Sequence, residues 1–283
     1  MISGRTAVFG IFGYPVEHTF SPGMHNAAFA EIGMEGCYVP FAVRPEALRD
    51  AVRSIIPLGI RGVNITVPHK EKVLPFLDEL AEDASLIGAV NTIEVVRGRL
   101  IGHNTDGRGF VRSLREDAGF RPKGKAFLMI GTGGAARAIS FSLALAGAET
   151  IFLYDIDIAK ATKLARDVRT RTGVSATALK AKALRTSMPD VDAIINATPL
   201  GMKRGDPLPF SRDLIRAGNL ICDLVYNPPA TRLLTVARSR GAETLSGIGM
   251  LLYQGVIAFE LWTGKKAPVN IMRQALARQM HRG

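Results

Sequence analysis

A lysine and a carboxylate stand among uncharged polar residues in the first part of the chain. Asn64 and Thr66 alternate along a predicted strand, so their side chains share one face, and Lys70 follows just beyond its end. Asn91 and Asp106 add an amide and a carboxylate in two later polar segments. Such groups can hydrogen-bond several hydroxyls and move a proton, so the combination predicts a site for a small polyhydroxylated molecule.

Two hydroxyl side chains lie two positions apart directly before a predicted helix. Thr19 and Ser21 precede Pro22, a residue that is favourable at the first position of a helix. The free N–H groups at a helix N-terminus attract anions, so hydroxyls at this place suit a carboxylate. The alternative is that Ser21 only caps the helix, a common role of serine. The residue types leave both interpretations open.

A glycine-rich turn in the middle of the chain has the context of a dinucleotide-binding site. It follows an apolar strand, opens a helix, and precedes by about 20 residues an acidic residue that ends the next strand. The glycines of such a turn let the backbone approach a pyrophosphate, and the acidic residue accepts hydrogen bonds from the adenosine ribose. A glycine-rich turn in an α/β domain without a ligand is the alternative. The predicted cofactor-binding residues here are Gly131, Thr132, Gly133, Gly134, Ala135, Ala136 and Asp155.

The amino-acid composition excludes several classes of protein. Of 283 residues, 47% are hydrophobic and 22% are charged, which is typical of a folded globular protein and excludes a disordered chain. Cys37 and Cys222 are too far apart for a disulfide framework or a zinc site, and the histidines lack metal-ligand spacing. We therefore predict no metal and a reducing, cytoplasmic location. No secretory signal and no membrane-spanning segment are expected.

The net charge of +11 raises the question of nucleic-acid binding. The basic residues are scattered singly, without a Lys/Arg-rich block, interleaved aromatic residues or zinc-finger spacing. We therefore expect no nucleic-acid partner. Most of the positive charge lies in residues 107–245, which favours a phosphate-bearing ligand in that part of the chain.

Strand-like and helix-like segments alternate along the chain, which predicts an α/β protein with mainly parallel sheets. Four short apolar strands are predicted in the second part of the chain, at residues 126–130, 150–154, 193–196 and 220–223.

The pattern also predicts a division of the chain into three parts. Residues 1–106 form the substrate-binding catalytic domain, and residues 107–245 form a Rossmann-like dinucleotide-binding domain. Residues 246–283 contain two helices that could pack on either domain.

Eight short motifs occur in order along the chain. They are Thr-Phe-Ser-Pro (19–22), Asn-Ile-Thr-Val-Pro-His-Lys (64–70), Gly-Ala-Val-Asn-Thr (88–92), Asn-Thr-Asp-Gly (104–107), Gly-Thr-Gly-Gly-Ala-Ala-Arg (131–137), Asn-Ala-Thr-Pro-Leu-Gly-Met (196–202), Tyr-Asn-Pro (226–228) and Gly-Met-Leu-Leu-Tyr-Gln (249–254). Together they resemble the shikimate dehydrogenase family nearly end to end. The resemblance implies an N-terminal α/β substrate domain, a Rossmann-like domain, and C-terminal helices that complete the substrate domain.

The resemblance also implies roles for individual residues. Lys70 and Asp106 would be the catalytic pair, and Thr198 would join the glycine-rich turn in binding the dinucleotide. The substrate-binding residues that the resemblance implies are Thr19, Ser21, Asn64, Thr66, Asn91, Tyr226 and Gln254.

The segment after the second nucleotide strand departs from the family pattern. Where NADP-specific members usually have Asn-Arg-Thr, this chain has Asp155, Ile156 and Asp157. The acidic residue resembles the NAD-dependent quinate/shikimate dehydrogenase branch. We therefore predict NAD as the cofactor, with NADP as the alternative.

The predicted activity is reversible NAD(P)-dependent hydride transfer between 3-dehydroshikimate and shikimate, in the biosynthesis of aromatic amino acids. One alternative is an NAD-dependent quinate/shikimate dehydrogenase of quinate catabolism. A second alternative, outside the enzymes, is a nucleotide-sensing or nucleic-acid-binding module. The oligomeric state, monomer or homodimer, stays open.

Overall fold

The computed structural model describes residues 2–186 and 190–280 and divides into two compact units. The first unit joins Met1–Thr105 to Gln254–Gly283, and the second is the intervening Asp106–Tyr253. The predicted three-part organisation, with boundaries after residues 106 and 245, stays a prediction about domains.

The N-terminal part of the first unit supplies one six-stranded sheet and three α-helices. Its elements are β1 (Ala7–Gly13), α1 (Ser21–Glu31), β2 (Gly36–Ala42), α2 (Leu48–Arg53), β3 (Ile60–Ile65), β4 (Glu79–Leu80), α3 (Glu82–Ile87), β5 (Thr92–Val96) and β6 (Arg99–His103).

The strand order of this sheet brings the predicted substrate-binding segments to one edge. The order is β2-β1-β3-β5-β6-β4, with β1 parallel to β2 and β3, and β5 antiparallel to β3 and β6. Because β5 runs against β3, its first residue Thr92 pairs with Asn64 near the carboxyl end of β3. The two short strand-like runs on either side of Arg97 and Gly98 predict a hairpin, and β5 and β6 form it.

The second unit contains a second six-stranded sheet, and two helices complete the chain. These elements are α4 (Thr105–Asp117), β7 (Ala126–Ile130), α5 (Gly134–Leu145), β8 (Thr150–Tyr154), α6 (Ile158–Thr172), β9 (Ser175–Ala178), α7 (Ala181–Thr186), β10 (Ala193–Asn196), β11 (Leu220–Asp223), α8 (Arg232–Ser239), β12 (Glu243–Ser246), α9 (Gly247–Thr263) and α10 (Val269–Met280).

All strands of the second sheet are parallel, in the order β12-β11-β10-β7-β8-β9. Counted within the unit, this is the order 6-5-4-1-2-3 of the dinucleotide-binding doubly wound fold. The strand order reverses between β7 and β10, and ligands of such sheets bind outside the carboxyl ends of the strands at that point. The predicted fold class, an α/β chain with a Rossmann-like unit, is confirmed.

Several elements were absent from the sequence-based prediction. The strands β9 and β12 lie at the two edges of the second sheet, and each has four residues with few large apolar side chains. An edge strand buries little surface, so it carries a weak hydrophobic pattern. The helix α8, capped by the Thr231 hydroxyl, was also missed. The sequence pattern predicts a last helix over residues 269–281, and its final residue His281 lies outside the described residues.

The C-terminal residues of the first unit pack on its own sheet. The Trp262 indole donates a hydrogen bond to the Ile93 carbonyl, with 2.9 Å between Nε1 and the oxygen. A Cβ at Gly62 would clash with the Trp262 ring, so the missing side chain on β3 makes room for the indole. Within residues 2–186 and 190–280, no helix is both long and apolar enough to cross a membrane.

Candidate active site

The Asn64 amide lies at the centre of a buried polar network in the first unit. Its Nδ2 donates to Thr92 Oγ1 at 3.0 Å and to the Asn91 carbonyl at 3.2 Å. Its Oδ1 accepts a hydrogen bond from the Tyr38 hydroxyl at 2.7 Å. Both amide protons have acceptors and the oxygen has a donor, so the side-chain orientation is determined by its neighbours.

The network continues through Asn91 to the beginning of α4. Asn91 Oδ1 accepts from the Thr105 backbone N–H at 2.7 Å, and its Nδ2 lies 3.0 Å from the Thr105 hydroxyl. Thr92 adds a hydroxyl 3.2 Å from Asn91 Oδ1. All of these side chains are buried. The predicted catalytic residue Asp106 directly follows Thr105, is buried, and begins the second unit.

At its other end, the network reaches the N-terminus of α1. Ser21 is the first residue of this helix, and its side chain lies close enough to the Tyr38 hydroxyl to lower the pKa of that hydroxyl. The N-cap residue is Phe20, which has no side-chain capping bond, so Ser21 does not cap the helix. The Thr19 hydroxyl accepts from the Ser21 N–H at 3.3 Å. Both predicted carboxylate-binding hydroxyls therefore lie at the start of α1.

Tyr38 lies at this end of the network. Its side chain is 1% exposed, and burial raises the pKa of its hydroxyl far above the ordinary value, against the smaller opposing effect of the nearby Ser21 side chain. The phenol is therefore neutral at every physiological pH. Asn64 Oδ1 takes the phenol proton, so the direction of the Tyr38 hydroxyl is determined by Asn64.

Thr66 and Lys70 lie in the turn that follows β3. The Thr66 N–H donates to the Phe12 carbonyl at 2.9 Å, and Gly13 leaves space for the Thr66 methyl group, which would clash with a Cβ at the glycine. The Lys70 carbonyl accepts from the Val90 N–H at 2.8 Å. The backbone of Lys70 is thereby held beside the residue that precedes Asn91.

Gln254 and Tyr226 complete the predicted substrate-binding set, and they fall in different units. Gln254 is a buried residue of α9 and belongs to the first unit. Tyr226 follows β11 in the second unit, and 37% of its surface is exposed.

The glycine-rich turn has space for an anion on its outer side. Gly131 adopts φ +91°, and a Cβ there would lie 2.9 Å from the Thr198 Cγ2. A Cβ at Gly133 or Gly134 would meet nothing within 4 Å, and no side chain caps the N-terminus of α5. The free N–H groups at a helix N-terminus attract a pyrophosphate. Behind them, Ala136 is buried where α5 packs on the sheet.

Asp155 accepts three hydrogen bonds at the end of β8. Its Oδ2 accepts from the Thr132 N–H at 2.9 Å and the Thr132 hydroxyl at 2.7 Å, and its Oδ1 accepts from the Asp157 N–H at 2.9 Å. Partial burial by itself would raise the pKa of Asp155, but these hydrogen bonds, aided by Lys160, hold it below the ordinary value. The side chain is therefore ionised at neutral pH, and it ties the glycine-rich turn to the next strand.

Sequence reasoning missed three residues of these networks. Tyr38 lies inside a predicted strand, where an aromatic residue carries no functional signal. Thr92 and Thr105 are inside motifs that were singled out for Asn91 and Asp106, and their place became visible only from the pairing of β3 with β5. Among the described residues, no cluster of His, Cys, Asp and Glu could hold a metal ion.

Comparison with known proteins identifies the family. Residues 11–93 match the shikimate dehydrogenase substrate binding domain, and residues 247–277 match the shikimate 5'-dehydrogenase C-terminal domain. The chain is 51% identical over 286 residues to a shikimate dehydrogenase (NADP(+)) of Desulforamulus reducens, covering 100% of this chain and 98% of that protein.

Two solved structures have the same fold over nearly the whole chain. Shikimate 5-dehydrogenase from Listeria monocytogenes, in complex with shikimate and NAD, is 37% identical with a TM-score of 0.92, over 96% of this chain and 97% of that one. Quinate dehydrogenase from Corynebacterium glutamicum, in complex with NAD, is 31% identical with a TM-score of 0.90, over 96% and 99%. Fold and site together define an enzyme with a polar substrate unit and a Rossmann unit. The chain belongs to the shikimate dehydrogenase family.

Proposed function

We propose that this protein catalyses the reversible NAD(P)-dependent hydride transfer between 3-dehydroshikimate and shikimate. The observation that carries the proposal is the buried network from Tyr38 through Asn64 to Asn91 and Thr105. It places uncharged donors and acceptors where several hydroxyls of a ring could be held in one orientation. A nucleotide-sensing or nucleic-acid-binding module would have no use for such a network.

We assign the substrate contacts to the first unit. Thr19 and Ser21 hold the carboxylate at the start of α1, where unpaired helix N–H groups favour negative charge. The ring hydroxyls are assigned to Thr66, Asn91 and Gln254, with Asn64 as neighbour. Tyr226 is assigned as a further substrate-binding residue.

We assign the proton transfer to Lys70, with Asp106 as its catalytic partner. A carbonyl that receives a hydride develops negative charge on its oxygen, and a positioned ammonium stabilises that charge and supplies the proton. A bound nicotinamide supplies the hydride. In the oxidative direction, Lys70 takes the proton of the substrate hydroxyl.

We assign the dinucleotide to the second unit. The residues that fit it are those of the open turn, Gly131 to Ala136, together with Thr198 and Asp155. We further infer that NAD is preferred over NADP, because Asp155 is an ionised acceptor at the strand end where the adenosine ribose binds.

The proposed function predicts a specific pattern of initial rates. Purified protein should reduce NAD with shikimate, and the rate should be higher than with any other pair among shikimate or quinate with NAD or NADP. The increase in absorbance of the reduced nicotinamide measures all four rates. No reaction in any combination would contradict the proposed function, and a preference for quinate would replace it with the quinate dehydrogenase alternative, whose relative has the same fold.

A separate prediction concerns the phenol of Tyr38. Tyr38→Phe should raise KM for shikimate by about tenfold while KM for NAD stays within twofold, because the loss of the hydroxyl leaves the buried Asn64 Oδ1 without its donor, a cost of about 1–3 kcal/mol. Tyr253→Phe is the matched control, since Tyr253 is also buried and its hydroxyl bonds Asp117 at 3.2 Å within the second unit. An unchanged KM for shikimate in Tyr38→Phe would remove Tyr38 from the substrate site.

We propose small molecules, the substrate and the dinucleotide, as the partners of this protein, with no nucleic acid. We also propose a cytoplasmic location. Both cysteines, Cys37 and Cys222, are free thiols, which suits a reducing compartment.

A further inference from the structure

The carboxyl end of β11 carries a buried carboxylate. Asp223 is 0% exposed, and none of the Lys, Arg and His side chains that the structure describes in residues 2–184 and 190–280 forms an ion pair with it. Burial raises the pKa of Asp223, although its hydrogen bonds oppose this effect. A buried charge without a counter-ion is costly unless donors surround it.

Three donors surround this carboxylate. Asn196 Nδ2 lies 2.8 Å from Asp223 Oδ1, the Val225 N–H donates to the same oxygen at 3.1 Å, and the Thr231 hydroxyl donates to Oδ2 at 2.6 Å. Thr231 also caps α8 by accepting from the Leu234 N–H at 3.3 Å, so its hydroxyl proton is directed to the carboxylate. The Thr231 contact connects the carboxylate to α8, and the Asn196 contact connects it to the end of β10.

Asn196 also forms hydrogen bonds with the loop that follows β10. Its Nδ2 also donates to the Leu200 carbonyl at 3.1 Å, and its Oδ1 accepts from the Thr198 N–H at 3.1 Å and from the Thr198 hydroxyl at 2.7 Å. The Leu200 N–H then donates to the Thr198 hydroxyl at 3.2 Å. A single buried amide therefore joins the carboxylate to the loop of residues 198–201.

This loop lies against the glycine-rich turn. The Ala197 N–H donates to the Ile130 carbonyl at 2.8 Å, and the Thr198 methyl group occupies the space left by the absent Cβ of Gly131. The two segments follow β10 and β7, the strands on either side of the point where the strand order reverses. A dinucleotide crosses the sheet at that point, so the conformation of the loop bears directly on its binding.

We infer that Asp223 is a positioning residue for the dinucleotide and that it acts through Asn196. Because a carboxylate can only accept hydrogen bonds, Asp223 binds the Nδ2 group of Asn196. The Oδ1 atom of Asn196 then faces Thr198. This orientation shapes the loop of residues 198–201 before the dinucleotide binds. The inference rests on the proposed function, because it concerns the ligand of the same unit.

The first experiment compares two variants that each remove one donor from Asp223. Asn196→Ala breaks the link to the loop, whereas Thr231→Val breaks the link to α8 and leaves the loop contacts in place. Titration calorimetry with NAD and with NADP should show the dissociation constants raised about tenfold in Asn196→Ala and changed less than twofold in Thr231→Val. Asn196→Ser, whose hydroxyl is too short to bridge carboxylate and loop, serves if Asn196→Ala does not fold.

The second experiment is a double-mutant cycle. Asp223→Ala should raise the dissociation constant for NAD about tenfold in the wild-type background and less than twofold in the Asn196→Ala background, because the asparagine carries its effect. Equal effects of Asp223→Ala in both backgrounds would overturn the inference. Equal weakening of NAD binding by Thr231→Val and Asn196→Ala would overturn it as well. Asp223→Ser, whose hydroxyl is too short to reach Asn196, replaces Asp223→Ala in the cycle if the alanine variant does not fold. Wild-type protein that binds neither NAD nor NADP would instead contradict the proposed function.

Discussion

Lys70→Ala is expected to lower kcat for shikimate oxidation by about 10²- to 10⁴-fold, the range for removing a positioned acid or base. Lys70 is half-buried, and its backbone is held on Val90. Alanine keeps this backbone and removes the side chain beyond Cβ with its amine, so the proton of the substrate hydroxyl has no positioned acceptor. The KM for shikimate should change far less than kcat, since the buried network that binds the ring stays intact.

The control for this prediction is Lys72→Ala. Lys72 is exposed and lies two residues further along the same segment, so the variant removes the same charge without touching the network. Steady-state kinetics with saturating NAD should show wild-type kcat in the control. If kcat of Lys70→Ala stays within a few-fold of wild type, Lys70 does not carry the proton.

The second large effect is expected in cofactor choice. The ratio kcat/KM should be at least about tenfold higher with NAD than with NADP, a difference of about 1.4 kcal/mol. NADP has a phosphate on the 2′ position of the adenosine ribose, which would bring negative charge against the ionised Asp155 and remove a hydroxyl that could bond it. Lys160 could attract that phosphate, but its side chain is exposed, and its Nζ lies 3.9 Å from Asp157 Oδ2. Exposed ammonium groups contribute only about 0–1 kcal/mol.

Replacing Asp155 with Asn and Ile156 with Arg should move the preference toward NADP. The Ile156 side chain is 96% exposed, so an arginine has room there and can grip a phosphate with two hydrogen bonds. The amide oxygen of the asparagine that replaces Asp155 can still accept from Thr132, which keeps the glycine-rich turn in place.

Asp157→Asn is the matched control for the cofactor switch. It removes the same charge two residues away, and asparagine caps α6 as well as aspartate does. The ratio of kcat/KM for NAD and NADP should stay at its wild-type value in this control. Wild-type protein that uses NADP as well as NAD would refute the role of Asp155.

Four strands of the second unit could be predicted residue by residue. The predicted strands at 126–130, 150–154, 193–196 and 220–223 have the bounds that the structure shows. Strands buried on both faces are short continuous apolar runs, and the glycine-rich turn between the first two marks where the helix begins. In contrast, the edge strands β9 and β12 escaped prediction, since a strand with one neighbour needs little apolar surface.

The sequence by itself determined the fold class, the family and the types of residues that could do the chemistry. Those properties depend on local pattern and on motifs a few residues long, such as the segment that ends in Lys70. Only the tertiary structure decided that the Tyr38 hydroxyl binds Asn64, or that Asp223 holds Asn196. These partners lie far apart along the chain and meet only through the order and direction of strands. A hydrogen bond requires atoms within about 3 Å at a fixed angle, and no spacing along one chain encodes that distance.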